Sequence, residues 1–222
     1  MRGRFITFEG GEGTGKSTHS TLLADRLSKL GIGVVLTREP GGSPGAEVIR
    51  HVLLSGVAEP LGVETEALLF AAARADHLQN TIEPALAQGT WVVCDRFIDS
   101  TRVYQGILGR LDPRFIRALE RVTVGNLTPD LTFMLDVPAE VGLARAGKRR
   151  GEGVADRFEA ESRVFHETLR DAFRHLALEE PDRCVLIDAT MPKPAVAERI
   201  WNTVSDRLNS RANATLPAGA AS

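Results

Sequence analysis

The chain has 222 residues, 43% apolar and 25% charged, with a net charge of −2, the proportions of a soluble globular protein of one ordinary domain. No run approaches eighteen consecutive apolar residues, which argues against a membrane span, and the near-neutral balance gives no general attraction to nucleic acid or anionic lipid. Cys94 and Cys184 stand in apolar runs and match no metal spacing, as expected of buried thiols in a reducing cytoplasm.

In chain order, an apolar run at 4–9 (RFITFE) leads into GGEGTGKS at 10–17 and a helical pattern at 16–30, with Leu22, Leu23, Leu27 and Leu30 on one face and Gly31 as its stop. A second run at 33–39 (GVVLTRE) overlaps TREPGGSPG at 37–45. A helical stretch follows at 64–88, interrupted near Pro84 and carrying LLFAAARADH at 68–77. The third run, 90–95 (TWVVCD), opens into DRFIDSTRVYQG at 95–106, and a helix is expected at 113–125. The fourth run, 131–137 (LTFMLDV), precedes helices at 139–147 and 157–178, with KRRGEGVADRFE at 148–159 between them. A fifth run, 183–189 (RCVLIDA), and a helix at 193–208 complete the domain; the non-periodic tail 209–222 is expected to be disordered.

All five runs are nearly continuous rather than alternating, as in parallel strands covered on both faces. Alternation with helices predicts an α/β fold in one domain, 1–208: a three-layer, doubly wound, five-stranded parallel sheet flanked by helices. GGEGTGKS fits G-x-x-x-x-G-K-[ST] with a strand before it and a helix after it, the context a phosphate-binding loop requires. Backbone N–H groups over Gly10, Gly11, Glu12, Gly13, Thr14 and Gly15 would curl around phosphate oxygens at the start of a helix that begins with Lys16, Ser17 and Thr18. Lys16 would bridge the terminal phosphates of a nucleoside triphosphate, and the Ser17 hydroxyl would hold Mg2+. Ligands gather at the carboxyl ends of the strands in such sheets, so Arg38, Arg74 and Arg96 are expected in the same crevice, a charge density that suggests a second anionic substrate.

Together, FEGGEGTGKST, TREPGG, LLFAAARADH, DRFIDSTRVYQG and the late RRGEGVADRFE resemble bacterial thymidylate kinases, in that family's order and from residue 4 to about 208. The resemblance implies a P-loop kinase fold with a mobile lid at about 147–157, and transfer of the γ-phosphoryl of ATP to dTMP with Mg2+. It implies that Asp95 meets Mg2+ through water and that Arg96 clamps the acceptor phosphate. Glu12, a carboxylate beside phosphates, would accept from the 3′-hydroxyl of dTMP. Phe70 would stack on thymine and Arg74 donate to its O4, with Ser100, Thr101 and Gln105 as polar contacts to the base. Tyr104 would press on the sugar where a 2′-hydroxyl would sit; Arg38 would lie near the acceptor phosphate, with Arg50 a weaker candidate.

The family carries its catalytic arginine in the loop or in the lid. Positions 13 and 14 are Gly and Thr, so the resemblance is to the lid-arginine type, with Arg149 and Arg150 as the catalytic pair and Lys148 behind them. The loop within 188–200 would border adenine. A homodimer is implied, through the 64–88 helix and the 113–125 region. The five histidines share no metal spacing and are read as helix-surface or interface residues. Two other readings stand beside this one: a P-loop kinase for another nucleoside or nucleotide, and a regulatory P-loop ATPase switch. GGEGTGKST superficially resembles the loop of partitioning ATPases, though Glu9 stands where their extra lysine would be.

Overall fold

A computed structural model describes residues 2–151 and 158–209; most of the expected lid and nearly all of the expected tail lie outside the described residues. The five apolar runs become β1 (Phe5–Glu9), β2 (Val34–Arg38), β3 (Trp91–Asp95), β4 (Leu131–Asp136) and β5 (Cys184–Asp188). They form one parallel sheet in the order β2-β3-β1-β4-β5. The register places Phe8 opposite Asp95 and Phe133, and Arg38 opposite Asp95. Glu9, Arg38 and Asp95 therefore leave the sheet at one edge. The chain winds away from central β1 in opposite directions through β3 and β4, which opens a crevice beyond its carboxyl end.

Helices α1 (Lys16–Lys29) and α9 (Lys193–Asn209) cover one face, where Leu23, Leu27, Val196, Ile200 and Val204 pack on Ile6, Phe8, Phe133 and Ile187. The other face is covered from the β3 side by Leu78, Ile82, Leu86 and Phe97, and over β4 and β5 by Leu169, Phe173 and Leu176 of α8 (Arg163–Glu179). Each such fully buried Leu, Ile or Phe contributes about 1.5–3 kcal/mol relative to exposure.

Six stretches depart from expectation. Edge strand β2 is only partly covered, with Leu36 44% exposed, because no strand lies beyond it. The 64–88 helix is α3 (Gly62–His77), a π-helical turn at Leu78–Ile82, and α4 (Glu83–Ala87), so the interruption precedes Pro84, which cannot donate a backbone hydrogen bond to the turn before it. Helix α7 (Ala139–Arg150) runs past the expected end at 147, and its last turn is Lys148, Arg149 and Arg150, cations at the end where the helix dipole favours them. Helix α8 starts at Arg163 rather than 157, behind Ser162, whose hydroxyl accepts from the Phe165 N–H at 3.2 Å. The expectation also assigned no helix to α2 (Pro44–Leu54) or to the segment formed by α5 (Ile98–Thr101) and the π-helical turns Arg102–Leu108. Next in the chain is α6 (Pro113–Thr123), capped by Asp112, whose carboxylate accepts from the Arg114 N–H at 2.8 Å.

Candidate active site

The loop between β1 and α1 turns through glycines at φ 132° (Gly10), 65° (Gly13) and 95° (Gly15). Gly13 also permits close packing: a Cβ there would lie 1.9 Å from the Gly142 carbonyl oxygen of α7. No side chain fits at position 13 without moving α7, so an arginine could not project from the loop at that point. Lys16 is buried, and its ammonium donates to the carbonyls of Gly10 (3.1 Å) and Gly11 (2.7 Å). Burial, reinforced by the Arg96 charge, pushes its amine down to about 8 against the pull of Glu12, Asp95 and Glu9. The Ser17 hydroxyl donates to Oδ2 of Asp95, joining the start of α1 to the end of β3. Thr14 Oγ1 donates to the Gly11 carbonyl at 3.0 Å, and Thr18 is exposed.

A cleft of about 320 Å³ opens beside this loop. Its walls include Glu12, Lys16, Ser17, Asp95 and Arg149, together with Arg38, Phe70, Arg74, Arg96, Ser100, Thr101, Tyr104 and Gln105. All nine residues expected to meet dTMP therefore line one cavity with the loop lysine. Arg50 lines it too, donating to the Pro40 carbonyl at 2.5 Å.

Arg96 organises the centre. Nη1 donates to the Gly10 carbonyl (3.2 Å) and Ser100 Oγ (3.1 Å); Nη2 donates to Glu12 Oε1 (2.5 Å) and the Tyr104 oxygen (3.2 Å). The Tyr104 hydroxyl donates in turn to Glu12 Oε1 at 3.1 Å. Burial alone would raise the Glu12 carboxyl, but Arg96, Lys16 and the Tyr104 hydrogen bond hold it at about 2. Burial pushes the Tyr104 phenol well above its ordinary value, so it remains a neutral donor. The Glu12 carboxylate is thus offset by a guanidinium and an ammonium.

Arg74 belongs to a second buried network. Its Nε donates to Glu39 Oε2 at 2.7 Å, and Nη2 donates to the Phe97 carbonyl and to Thr101 Oγ1, both at 3.1 Å. His77, one helical turn on, places Nδ1 3.1 Å from Glu39 Oε1 and Nε2 2.7 Å from Thr37 Oγ1. Gln105 donates from Nε2 to Glu66 Oε1 at 2.7 Å. The expected base contacts Ser100, Thr101 and Gln105 therefore each carry a protein hydrogen bond as well as a place on the cleft wall.

On the rim the cations are held differently. Arg38 donates from Nη2 to both oxygens of Glu47, at 3.0 and 3.2 Å, and its side chain is 53% exposed. Arg149 Nη2 and Arg150 Nη1 meet the two oxygens of buried Glu159 at 2.9 and 2.7 Å. Of this pair Arg149 lines the cleft, and its charge reaches Glu12.

The thymidylate kinase family model matches residues 8–200. The chain belongs to the thymidylate kinase family. It is 62% identical to a thymidylate kinase of a Bradyrhizobium strain over 207 residues (93% of this chain, 92% of the relative). It is 61% identical to that of Afipia carboxidovorans, over 94% of this chain and 92% of the relative. The crystal structure of thymidylate kinase from Ehrlichia chaffeensis superimposes with a TM-score of 0.75 at 34% identity, covering 92% of this chain and all of that one. The five-stranded parallel sheet is the family's P-loop kinase fold.

Glu39 and Phe158 on the cleft wall, and His77 and Glu9 behind it, have no role legible in the sequence of this family member. Glu39 and His77 lie inside quoted motifs, but their partners are 35 and 38 residues apart, a distance only the fold closes. Phe158 lines the cleft with its ring centroid 5.1 Å from that of Tyr104, edge to face; an aromatic in a basic stretch was its only signal. Glu9 is the one charged residue of β1 (Phe5–Glu9). His51 and His175 are surface residues as expected, whereas His19, His77 and His166 are buried, because each faces inward from a helix packed on the sheet or loop. No His, Cys, Asp or Glu cluster able to hold a metal by itself occurs among the described residues. No described helix is long and apolar enough to cross a membrane, and both cysteines are free and buried.

Proposed function

We propose that the chain transfers the γ-phosphoryl group of ATP to dTMP, giving dTDP and ADP for the supply of dTTP. One observation carries this reading: a single cleft is lined by Lys16, Ser17 and Asp95 and also by Phe70, Arg74, Arg96 and Tyr104. Phosphoryl transfer through a loose transition state needs positioning and charge neutralisation more than covalent chemistry, and this cleft offers both. Gly10, Gly11, Gly13, Thr14 and Gly15 cradle the donor phosphates with backbone N–H groups ahead of Lys16 and Thr18. Arg96 clamps the acceptor phosphate, with Arg38 beside it at the rim. Glu12, kept ionised, accepts from the 3′-hydroxyl. Phe70 stacks on thymine and Arg74 donates to its O4, while Thr101, Ser100 and Gln105 shape the base pocket. Tyr104 excludes a ribose 2′-hydroxyl.

The residues present suit Mg2+. Ser17 and Asp95 bring two hard oxygen donors together at the β3 end, and Mg2+ binds proteins through one or two such groups, completing its shell with water and nucleotide phosphates. When bound there, the ion neutralises charge on the transferring phosphates. With no room for a side chain at Gly13, the arginine that stabilises the transferring group comes from the end of α7, by Arg149 or Arg150. The single domain spans 1–208 and acts in the cytoplasm as a homodimer; exposed apolar side chains on α3 (Leu68) and α6 (Val122) mark the pairing surface.

The test is an acceptor panel of dTMP, dUMP, UMP, dCMP and thymidine in a coupled ADP-release assay. The highest kcat/KM is expected for dTMP. Faster turnover of thymidine or UMP would point to another nucleoside or nucleotide kinase, and acceptor-independent ATP turnover to a regulatory switch.

A further inference from the structure

All five residues of β1 are buried, and the last of them is Glu9. A carboxylate at the end of the central strand of a parallel sheet is costly unless its oxygens are fully used. Here they are. Oε1 accepts from the Phe97 N–H at 2.7 Å and from the Ser100 N–H at 3.3 Å. Oε2 accepts from the Ser100 hydroxyl at 2.6 Å. Phe97 immediately follows Arg96, whose backbone is left-handed at φ 68°, a conformation that costs a non-glycine residue on the order of 1–3 kcal/mol unless its surroundings impose it.

We propose that Glu9 is a positioning residue for Arg96, acting through two linked contacts: it fixes the turn that carries Arg96, and it orients the Ser100 hydroxyl that receives the Arg96 side chain. The inference rests on the reading of Arg96 as the acceptor-phosphate clamp. The direction of the hydrogen bonds is the core of the argument. Burial and the neighbouring Asp99 charge raise the Glu9 carboxyl to about 7, so it is above that pH that Glu9 is ionised and can only accept. Ser100 must therefore donate its proton to Oε2, which leaves its oxygen lone pairs for Arg96 Nη1 at 3.1 Å. A glutamine at position 9 keeps the acceptor for Phe97 but can present its NH2 to Ser100. The hydroxyl is then free to turn its proton toward the guanidinium, and Arg96 loses a fixed acceptor. Nη2 stays on Glu12 and Tyr104, so the guanidinium pivots about that end rather than collapsing. A phosphate clamp displaced by a fraction of an ångström loses more in orientation than in affinity.

The experiment measures, at a pH well above the raised Glu9 value, kcat and KM for dTMP and for ATP, and the inhibition constant of thymidine, in wild type, E9Q, S100A and the double variant. E9Q is expected to lower kcat/KM for dTMP at least tenfold while KM for ATP stays within twofold. S100A should lower the same parameter by a smaller factor, and the double variant should be no worse than E9Q, because both substitutions cut one relay. Thymidine has no phosphate to meet Arg96, so its inhibition constant should stay within twofold in E9Q, which leaves every base-pocket side chain in place. The inference is overturned if the double-variant losses multiply, or if the thymidine constant of E9Q rises by the same factor as its dTMP loss, which would make Glu9 a support of the base pocket rather than of Arg96. If E9Q does not fold, S100A decides alone, since it leaves β1 untouched: dTMP kinetics within twofold of wild type would sink the proposal. Failure of the function itself looks different, because wild type would then not prefer dTMP.

Discussion

Two sets of cations surround the same cleft, and the protein treats them in opposite ways. Arg74 and Arg96 are built into the wall: Arg74 is 2% exposed and bound to buried Glu39, and Arg96 makes hydrogen bonds to four different groups. Arg38 and Arg149 stand at the rim, more than half exposed, each tethered to a carboxylate. The wall is preorganised before any substrate arrives, whereas the rim can exchange a carboxylate for a phosphate at little cost. The chemistry explains the division. Recognition of an acceptor, its base by Arg74 and its phosphate by Arg96 in the proposed reading, needs fixed donors, since a pocket that must rearrange loses affinity to the ordering of its own side chains. Charge neutralisation on a phosphoryl group in flight needs a cation that can follow it.

The sharpest way to break this comparison is to truncate one member of each set and measure unfolding. Arg74→Ala leaves Glu39 buried beside His77 with no permanent positive partner, and breaking such a pair costs about 3–5 kcal/mol. Arg38→Ala removes an exposed pair worth at most about 1 kcal/mol. Urea denaturation should show a large fall in midpoint for the first and little change for the second. Equal losses would mean that the wall is no more preorganised than the rim.

The difference between wall and rim also marks what could be read from the chain. The strands were legible because a strand covered on both faces is a continuous apolar run, and β1, β3 and β4 are such strands. Edge strand β2 follows the same pattern in sequence but not in burial, because an edge position is a property of topology. The nine residues expected around dTMP fall on one cleft because their motifs follow strand ends, where the fold gathers ligands. What remained hidden are pairings made by tertiary packing: Glu39 with Arg74, Glu159 with Arg149 and Arg150, and Glu9 with the turn after β3. Each partner is a carboxylate whose role is invisible until the fold brings a cation or an N–H group to it. Helix α2 was missed for another reason. It begins inside TREPGGSPG, whose glycines and prolines read as loop, and Pro44 in its first turn is a start signal that looks like a break.

A finer test separates the two α7 arginines. Both are anchored on Glu159, yet only Arg149 lines the cleft. Arginines that stabilise a transferring phosphoryl group contribute factors of about 10³–10⁵ in kcat. Arg149→Ala should therefore depress kcat by at least about 10²-fold with a smaller change in KM for dTMP, the signature of a contact made only in the transition state. Arg150→Ala should cost distinctly less, since its guanidinium serves mainly to share Glu159. The reverse order would place Arg150 at the reacting phosphate and Arg149 in the supporting role.

The smallest effect is expected where the rim is weakest. Glu47 accepts from the Gly42 N–H at 2.9 Å and holds Arg38 through both oxygens, and its carboxyl is held below the ordinary range first by that backbone hydrogen bond and then by Arg38 and Arg50. A carboxyl depressed in the folded state adds stability above its unfolded value of 4.5, and that contribution fades as pH falls through the folded value. Glu47→Gln keeps an acceptor for Gly42 but removes the charge that competes for Arg38. Stability at neutral pH should move by less than about 1 kcal/mol, as for other exposed pairs, and the small acid-side loss seen in wild type should shrink. If Arg38 is held in reserve for the acceptor phosphate, freeing it lowers KM for dTMP a few-fold and leaves kcat alone, because the carboxylate no longer has to be displaced. A KM that rises instead would mean that Glu47 aims Arg38 at the cleft, and the rim would then be as preorganised as the wall.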